Sequence, residues 1–133
     1  MYRLITGLIA LSATLLTALA TPTPLNGTAK VSLERRTTYT GEGTWYEVGT
    51  GACGYTDTDS DLVVAISSDI YDGGAYCNQY VEITNTDNGQ TASGQVRDEC
   101  SSCASGSLDM SPSLFEELST LDTGVIPISW YFT

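Results

Sequence analysis

Four cysteines, Cys53, Cys77, Cys100 and Cys103, are the strongest constraint on how this chain folds, and no histidine accompanies them. Four cysteines allow three pairings. Locality favours joining Cys100 to Cys103, which leaves Cys53 for Cys77. In the chain-entropy picture a closed loop of about 25 residues stabilises by about 3 to 4 kcal/mol, and the small ring by about 2 kcal/mol. In a domain too short for a large core, cross-links of that size carry a substantial share of the stability. A zinc site of four thiolates is the competing reading. The lack of histidine and an exported setting favour disulfides. A redox-active Cys-x-x-Cys is disfavoured because Asp98 and Glu99 beside it would raise a thiol pKa.

Export is read from the beginning of the chain. Arg3 is followed by a largely apolar run from Leu4 to Leu19 and an Ala18-Leu19-Ala20 ending, the layout of a cleaved secretory signal over residues 1–20. The run is too short for a comfortable membrane span. Residues 21–36 change character, with Thr-Pro-Thr-Pro, an Asn26-Gly27-Thr28 glycosylation sequon and Glu34-Arg35-Arg36. They read as a pro-segment ending at a dibasic site, with Thr37 as the mature N-terminus and a flexible leader that stays attached as the alternative. Residues 37–133 then form a single domain, soluble and expected to be monomeric. Within it Arg97 stands alone against fifteen acidic residues. Phosphate binding needs many Lys and Arg, so nucleic acid and anionic membrane are poor partners. A neutral polysaccharide meets no such objection.

Short alternating segments separated by Gly, Asn and Asp indicate a mainly β domain. Residues 43–48 read as a first strand. Leu62-Val63-Val64-Ala65-Ile66 reads as a buried strand, followed by about one helical turn from Ser67 to Tyr71 that Gly73-Gly74 ends. Residues 79–84 and 90–96 flank Asp87-Asn88-Gly89, a strong hairpin signal. Ser111-Pro112 is an N-cap with proline in the first helical position, and Leu114, Phe115 and Leu118 have helical spacing, so a helix is expected from Pro112 to about Ser119. Residues 124–132 return to period two, with Ile126, Ile128, Trp130 and Phe132 on one face, Trp130 being read as packing. The Asp57-Thr58-Asp59-Ser60-Asp61 run begins like a calcium loop but has Leu62 in place of glycine and Ser68 in place of glutamate, so it is read as a solvated acidic loop. No metal site is expected.

Two aspartates carry the chemistry. Asp98 stands beside the Cys-x-x-Cys, and Asp109 lies between Leu108 and Met110, where desolvation should penalise the charged form. Such an acid can protonate or hydrogen-bond a sugar oxygen near neutral pH. The plainer reading is that both aspartates cap turns.

Gly43-Thr44-Trp45-Tyr46, Gly51-Ala52-Cys53-Gly54-Tyr55, Tyr76-Cys77-Asn78-Gln79-Tyr80-Val81-Glu82-Ile83, Val96-Arg97-Asp98-Glu99-Cys100, Leu108-Asp109-Met110-Ser111 and Gly124-Val125-Ile126-Pro127 follow one another in the order of expansin-like first domains. The chain resembles that family, within the double-psi β-barrels of barwin and rare lipoprotein A, and most of all the loosenins, fungal single-domain relatives without a second, carbohydrate-binding domain. The resemblance spans essentially Thr37 to Thr133. It implies a six-stranded double-psi β-barrel with one or two short helices and an open groove for cell-wall polysaccharide, cellulose, chitin or a related glucan, which such proteins loosen without much hydrolysis. Asp109 matches the family's essential aspartate, Asp98 the second groove aspartate and Thr44 the groove threonine, while Cys53 with Cys77 matches a family disulfide. Cys100 stands where some bacterial relatives have a groove tyrosine. Trp45, Tyr46 and Tyr55 are candidates for stacking on sugar rings, and alternation allows at most one of Trp45 and Tyr46 to share the face of Thr44.

Related inverting endoglucanases pair the counterpart of Asp109 with a second carboxylate as base. Glu47 is the candidate here, but its register is off by about one residue, which in a strand turns a side chain to the opposite face. Efficient hydrolysis is therefore not expected. Two other classes stay open: a weak endoglucanase or lytic transglycosylase relying on Asp109, and a binding protein such as a protease inhibitor or effector on the same barrel. No dinucleotide fingerprint or histidine supports the riboflavin chemistry attributed to some fungal relatives, and no cofactor is expected. N-terminal sequencing of the exported protein is expected to begin at Thr37; a start at Thr21 would show that the segment before it is retained.

Overall fold

The apolar run read as a buried strand is one stave of a closed barrel. In a computed structural model, which describes residues 36–133, Val63–Ser67 forms a strand buried at all five positions. It is preceded by Tyr39–Trp45, here β1, which makes it β2. The remaining elements are a helical turn α1 (Ser68–Tyr71), strands β3 (Tyr80–Asn85), β4 (Thr91–Cys100) and β5 (Leu108–Met110), helix α2 (Pro112–Leu118) and strand β6 (Ile126–Phe132), with short 3-10 turns at Asp72–Gly74 and Leu121–Thr123. The expected signal and nearly all of the expected pro-segment lie outside the described residues.

The strands close in the order β1-β5-β2-β4-β3-β6, with β6 returning to β1. Two pairs, β1 with β5 and β2 with β4, are parallel, and the others are antiparallel. Closure leaves no unpaired edge, which matters for a domain built of short strands. Val64, Ile66, Val81, Ile83, Val96, Leu108, Met110, Ile128 and Trp130 fill the interior, and Leu114, Phe115 and Leu118 of α2 join the same cluster. Trp130 is fully buried and donates from its indole nitrogen to the Gly106 carbonyl at 2.8 Å.

The expected hairpin is present, with Thr84 opposite Thr91. Helix α2 begins where proline and serine indicated, the Ser111 hydroxyl accepting from the Leu114 amide at 3.4 Å. The first strand differs from expectation. It runs from Tyr39 to Trp45 rather than over residues 43–48, because two successive inward positions, Gly41 and Gly43, carry no apolar side chain to mark them. A Cβ at Gly43 would lie 2.5 Å from Met110 Cε and 3.2 Å from Ile126 Cγ1. After Trp45, one further bond from the Tyr46 amide to the Met110 carbonyl follows the strand, and Val48 then donates to Asp59 Oδ1, drawing the chain away. Asp59 and Asp61 of the acidic run thus serve a turn: Asp61 Oδ2 accepts from both the amide and the hydroxyl of Thr58.

Strand β4 also departs from expectation, continuing from Val96 to Cys100. Its register against β2 shifts: Val64 pairs with Val96, but the next residue, Ala65, pairs with Asp98. Arg97 is the extra residue of a β-bulge, which puts Arg97 and Asp98 on the outer side in succession. Without it, alternation would send Asp98 into the core.

Both disulfides are formed, Cys53 with Cys77 and Cys100 with Cys103. The first ties the loop after β1 to the segment before β3. Replacing Cys53 and Cys77 together by alanine is expected to lower unfolding free energy by about 3 kcal/mol, against about 2 kcal/mol for the Cys100 and Cys103 pair. Denaturant titration of the two double variants measures the difference, and equal losses would contradict the loop-length account.

Candidate functional site

Registers across four neighbouring strands align the two aspartates. Thr44 pairs with Asp109, Asp109 with Ala65, and Ala65 with Asp98. Directly paired residues project from the same side of a sheet, so Thr44, Asp109, Ala65 and Asp98 form one row on the outside of the barrel. Ala65, almost fully buried and outside the interior cluster, is its floor. Asp98 and Asp109 flank it, about 10 Å apart at the backbone by two strand spacings.

The two carboxylates have different surroundings. Asp109 is held by the Thr44 hydroxyl, which donates to Oδ1 at 2.9 Å. Burial pushes the Asp109 carboxyl above the usual range; the Thr44 hydrogen bond opposes this, and the nearby Asp98 charge adds to it. Asp98 is more heavily tied. Its Oδ1 accepts from the amides of Ala52 at 2.7 Å and Glu99 at 2.8 Å, and its Oδ2 from the Tyr46 hydroxyl at 3.3 Å. Burial, followed by the Asp98 charge, raises the Tyr46 phenol well above its ordinary value, in keeping with a hydroxyl that donates to a carboxylate.

The bulge and the Gly51–Tyr55 loop hold Asp98 together. The Cys53 amide donates to the Arg97 carbonyl at 3.2 Å, and Ala52 supplies the bond to Asp98. Gly51 is required for this approach, because a Cβ there would run into the Arg97 carbonyl. Beyond Asp109 the surface opens into a cavity of about 360 Å³, lined by Glu42, Thr44, Ser107, Asp109 and the Cys100 and Cys103 disulfide.

Of the residues singled out in the sequence, Thr44, Tyr46, Asp98 and Asp109 come together. Tyr55 stands next to them, its exposed ring facing the Arg97 guanidinium at 4.1 Å. Trp45 goes elsewhere: it packs against the core and donates its indole N–H to the Leu121 carbonyl at 3.1 Å. Glu47 is exposed beyond the end of β1 and lines neither this cavity nor the second one, described below. Cys100 and Cys103 act as a wall as well as a cross-link. Sequence reasoning did not find Ala65 or Ser107, whose types carry no chemical signal, or Glu42, a carboxylate two residues before Thr44 that lies in the missed first part of β1; the strand pairing makes them neighbours of the aspartates.

The raised Asp109 pKa fixes the sign of a pH effect. The folded state holds the Asp109 proton more tightly than the unfolded chain, so this residue's contribution to stability falls as pH rises from the ordinary carboxylate range through the folded value. Asp109→Asn, which keeps an acceptor for Thr44, is expected to melt higher than wild type at pH 8 and close to it at pH 4. Calorimetry at both values measures the gap; a gap that widens on acidification would contradict the assignment.

No protein-family model matches the chain. It is 36% identical over 101 residues to a papain inhibitor of Streptomyces mobaraensis, covering 70% of each chain. A solved Streptomyces papain inhibitor superposes with a TM-score of 0.65 at 34% identity, over 73% of this chain and 94% of that one. The expansin of Clavibacter michiganensis, a mutant solved in complex with cellohexaose, superposes with a TM-score of 0.66 at 32% identity, over 73% of this chain and 50% of that one. An allergen homolog of Arthroderma benhamiae is 34% identical over 84 residues, 59% of this chain; the chain spans only 28% of that protein's length. With its closed six-stranded barrel, its paired parallel strands and these relatives, the chain belongs to the expansin-related double-psi β-barrel proteins.

Proposed function

We propose that this is a secreted, loosenin-like protein whose domain, residues 37–133, binds a cell-wall polysaccharide such as cellulose or chitin and loosens it without hydrolysis, acting as a monomer. The observation that carries the reading is the half-buried Asp109, hydrogen-bonded to Thr44 at the edge of an open cavity. A carboxyl so placed offers an acceptor, and when protonated a donor, to sugar hydroxyls that otherwise bond to a neighbouring chain. The cellohexaose in the Clavibacter expansin supports a glucan ligand, and the two disulfides fit an oxidising compartment.

Hydrolysis is disfavoured by the state of the second carboxylate. An ionised carboxylate has about four lone-pair sites, and Asp98 spends three on Ala52, Glu99 and Tyr46. Inversion needs a carboxylate free to activate a water on the far face of the sugar. Glu47 is exposed and lines neither cavity, and Glu42, which lines the Asp109 cavity, lies two residues before Thr44 on the same outer face of β1 and so meets a sugar from the side that Asp109 does.

A second reading, cysteine-protease inhibition, is favoured by the papain inhibitor, whose solved structure this chain covers almost entirely. The readings separate in one set of assays. Wild type is expected to bind cellulose or chitin and weaken filter paper without releasing reducing sugar, and Asp109→Asn to lose at least half of the weakening. Sugar release at steady rates by wild type would favour a hydrolase. Papain inhibition unaffected by Asp109→Asn, with no polysaccharide binding, would favour the inhibitor.

A further inference from the structure

We infer that the polysaccharide groove extends past Asp98 along β4 to a second sugar-contacting site, built around Tyr80 and Leu62. The inference rests on the polysaccharide reading above and adds where the polymer is held. A cavity of about 400 Å³ lies there, lined by Asp57, Leu62, Tyr80, Ser93, Gln95 and Arg97 among others.

One strand joins this cavity to the first. On the outer side of β4 come Ser93, Gln95 and Arg97, then, through the bulge, Asp98 and Cys100. The first three line the second cavity and Cys100 lines the first, with Asp98 between them. At about 3.3 Å per residue, Ser93 to Cys100 spans about 23 Å, which suits an extended chain rather than a single sugar. Tyr80 sits directly across from Gln95 on β3, on the same face.

The chemistry of the two cavities differs. Among the described residues the exposed large hydrophobic side chains are Tyr55, Leu62, Tyr80 and Val125. Leu62 and Tyr80 line the second cavity, and Tyr55 faces Arg97, which lines it too. The first cavity has no aromatic lining. Flat apolar rings beside polar groups are what the mixed surface of a sugar ring requires. Arg97 Nε and Asp57 Oδ2 also lie 3.6 Å apart, both shielded from solvent, as an ion pair without a hydrogen bond. The pair fixes the Arg97 side chain, and with it the Tyr55 ring that faces it, at the rim of the cavity. The Asp109 end thus perturbs the polymer while the Tyr80 end holds it.

Binding isotherms on cellulose and chitin test this with wild type, Tyr80→Ala, Tyr80→Phe and Val125→Ala, each checked for folding by circular dichroism. Val125 and Tyr80 are equally exposed, at 51%, but Val125 lines neither cavity. Tyr80→Ala is expected to weaken binding about threefold to tenfold, with Tyr80→Phe and Val125→Ala close to wild type. Affinity for soluble oligosaccharides should rise with length in wild type and level off earlier in Tyr80→Ala. If wild type binds and Tyr80→Ala binds equally well, the second site is overturned while the polysaccharide reading stands. If wild type binds neither polymer, both fall. If Tyr80→Ala loses papain inhibition and keeps glycan affinity, the surface belongs to a protein partner and the inference is overturned.

Discussion

One inserted residue decides where the chemistry of this barrel lies. Strand β4 enters its parallel pairing with β2 in regular alternation, Gly94 and Val96 turned inward, and would continue by burying Asp98 among Ile66, Leu108 and their neighbours. An unpaired carboxylate there would be expelled, protonated or unfolding. The bulge at Arg97 resets the phase, so that Asp98 joins Asp109 and Thr44 outside. It also frees a backbone carbonyl, and the Gly51–Tyr55 loop answers with the Cys53 amide. The Cys53 and Cys77 disulfide fastens that loop from the other side. Bulge, loop and cross-link therefore act as one unit whose output is the position of a single carboxylate.

Two residues of the same type consequently have opposite roles. Asp98 has two amide donors on one oxygen and a phenol donor on the other, and serves as a hub that fixes Tyr46 and the loop. Asp109 has one hydroxyl partner, is partly desolvated, and faces a cavity. Environment, rather than identity, separates the anchored acid from the available one. The acidic balance of the domain reinforces this, since Arg97 is already engaged by Asp57, Asn78 and the ring of Tyr55.

Elements with a local signature were legible in the sequence: the β2 run, the Asp87-Asn88-Gly89 hairpin, the Ser111-Pro112 start of α2, and the final strand with Trp130 buried. What escaped depends on contacts between distant segments. The start of β1 is hidden because Gly41 and Gly43 face inward without side chains. The last part of β4 is hidden because a bulge breaks the alternation that identifies a strand. Strand β5 is only three residues long, too short for a period. Within the site, the types of Thr44, Asp98 and Asp109 were informative, and their resemblance to a family pattern brought them into one set. Ala65 and Ser107 could be found only through register, and nothing in the local sequence separates the inward Trp45 from the outward Tyr46 beyond their alternation.

The placement of the two carboxylates bears on the proposal that this groove loosens a polymer rather than cutting it. An inverting glycosidase works from both sides of a sugar ring, with acid and base facing each other across it. Here Asp98 and Asp109 belong to one register row on one face of the sheet, with Ala65 between them. A glucan laid over that floor meets both acids from below. From there Asp109 and Thr44 can exchange hydrogen bonds with hydroxyls along the chain's edge, but neither aspartate reaches the opposite face, where a water would have to be activated. A single-sided acidic floor, extended along β4 toward Tyr80, therefore favours competition for hydrogen bonds over bond cleavage. Glu42 also lines the cavity, but it stands two residues before Thr44 on the same outer face of β1, so it too meets a sugar from the Asp109 side, whereas inversion requires a carboxylate facing Asp109 across the groove.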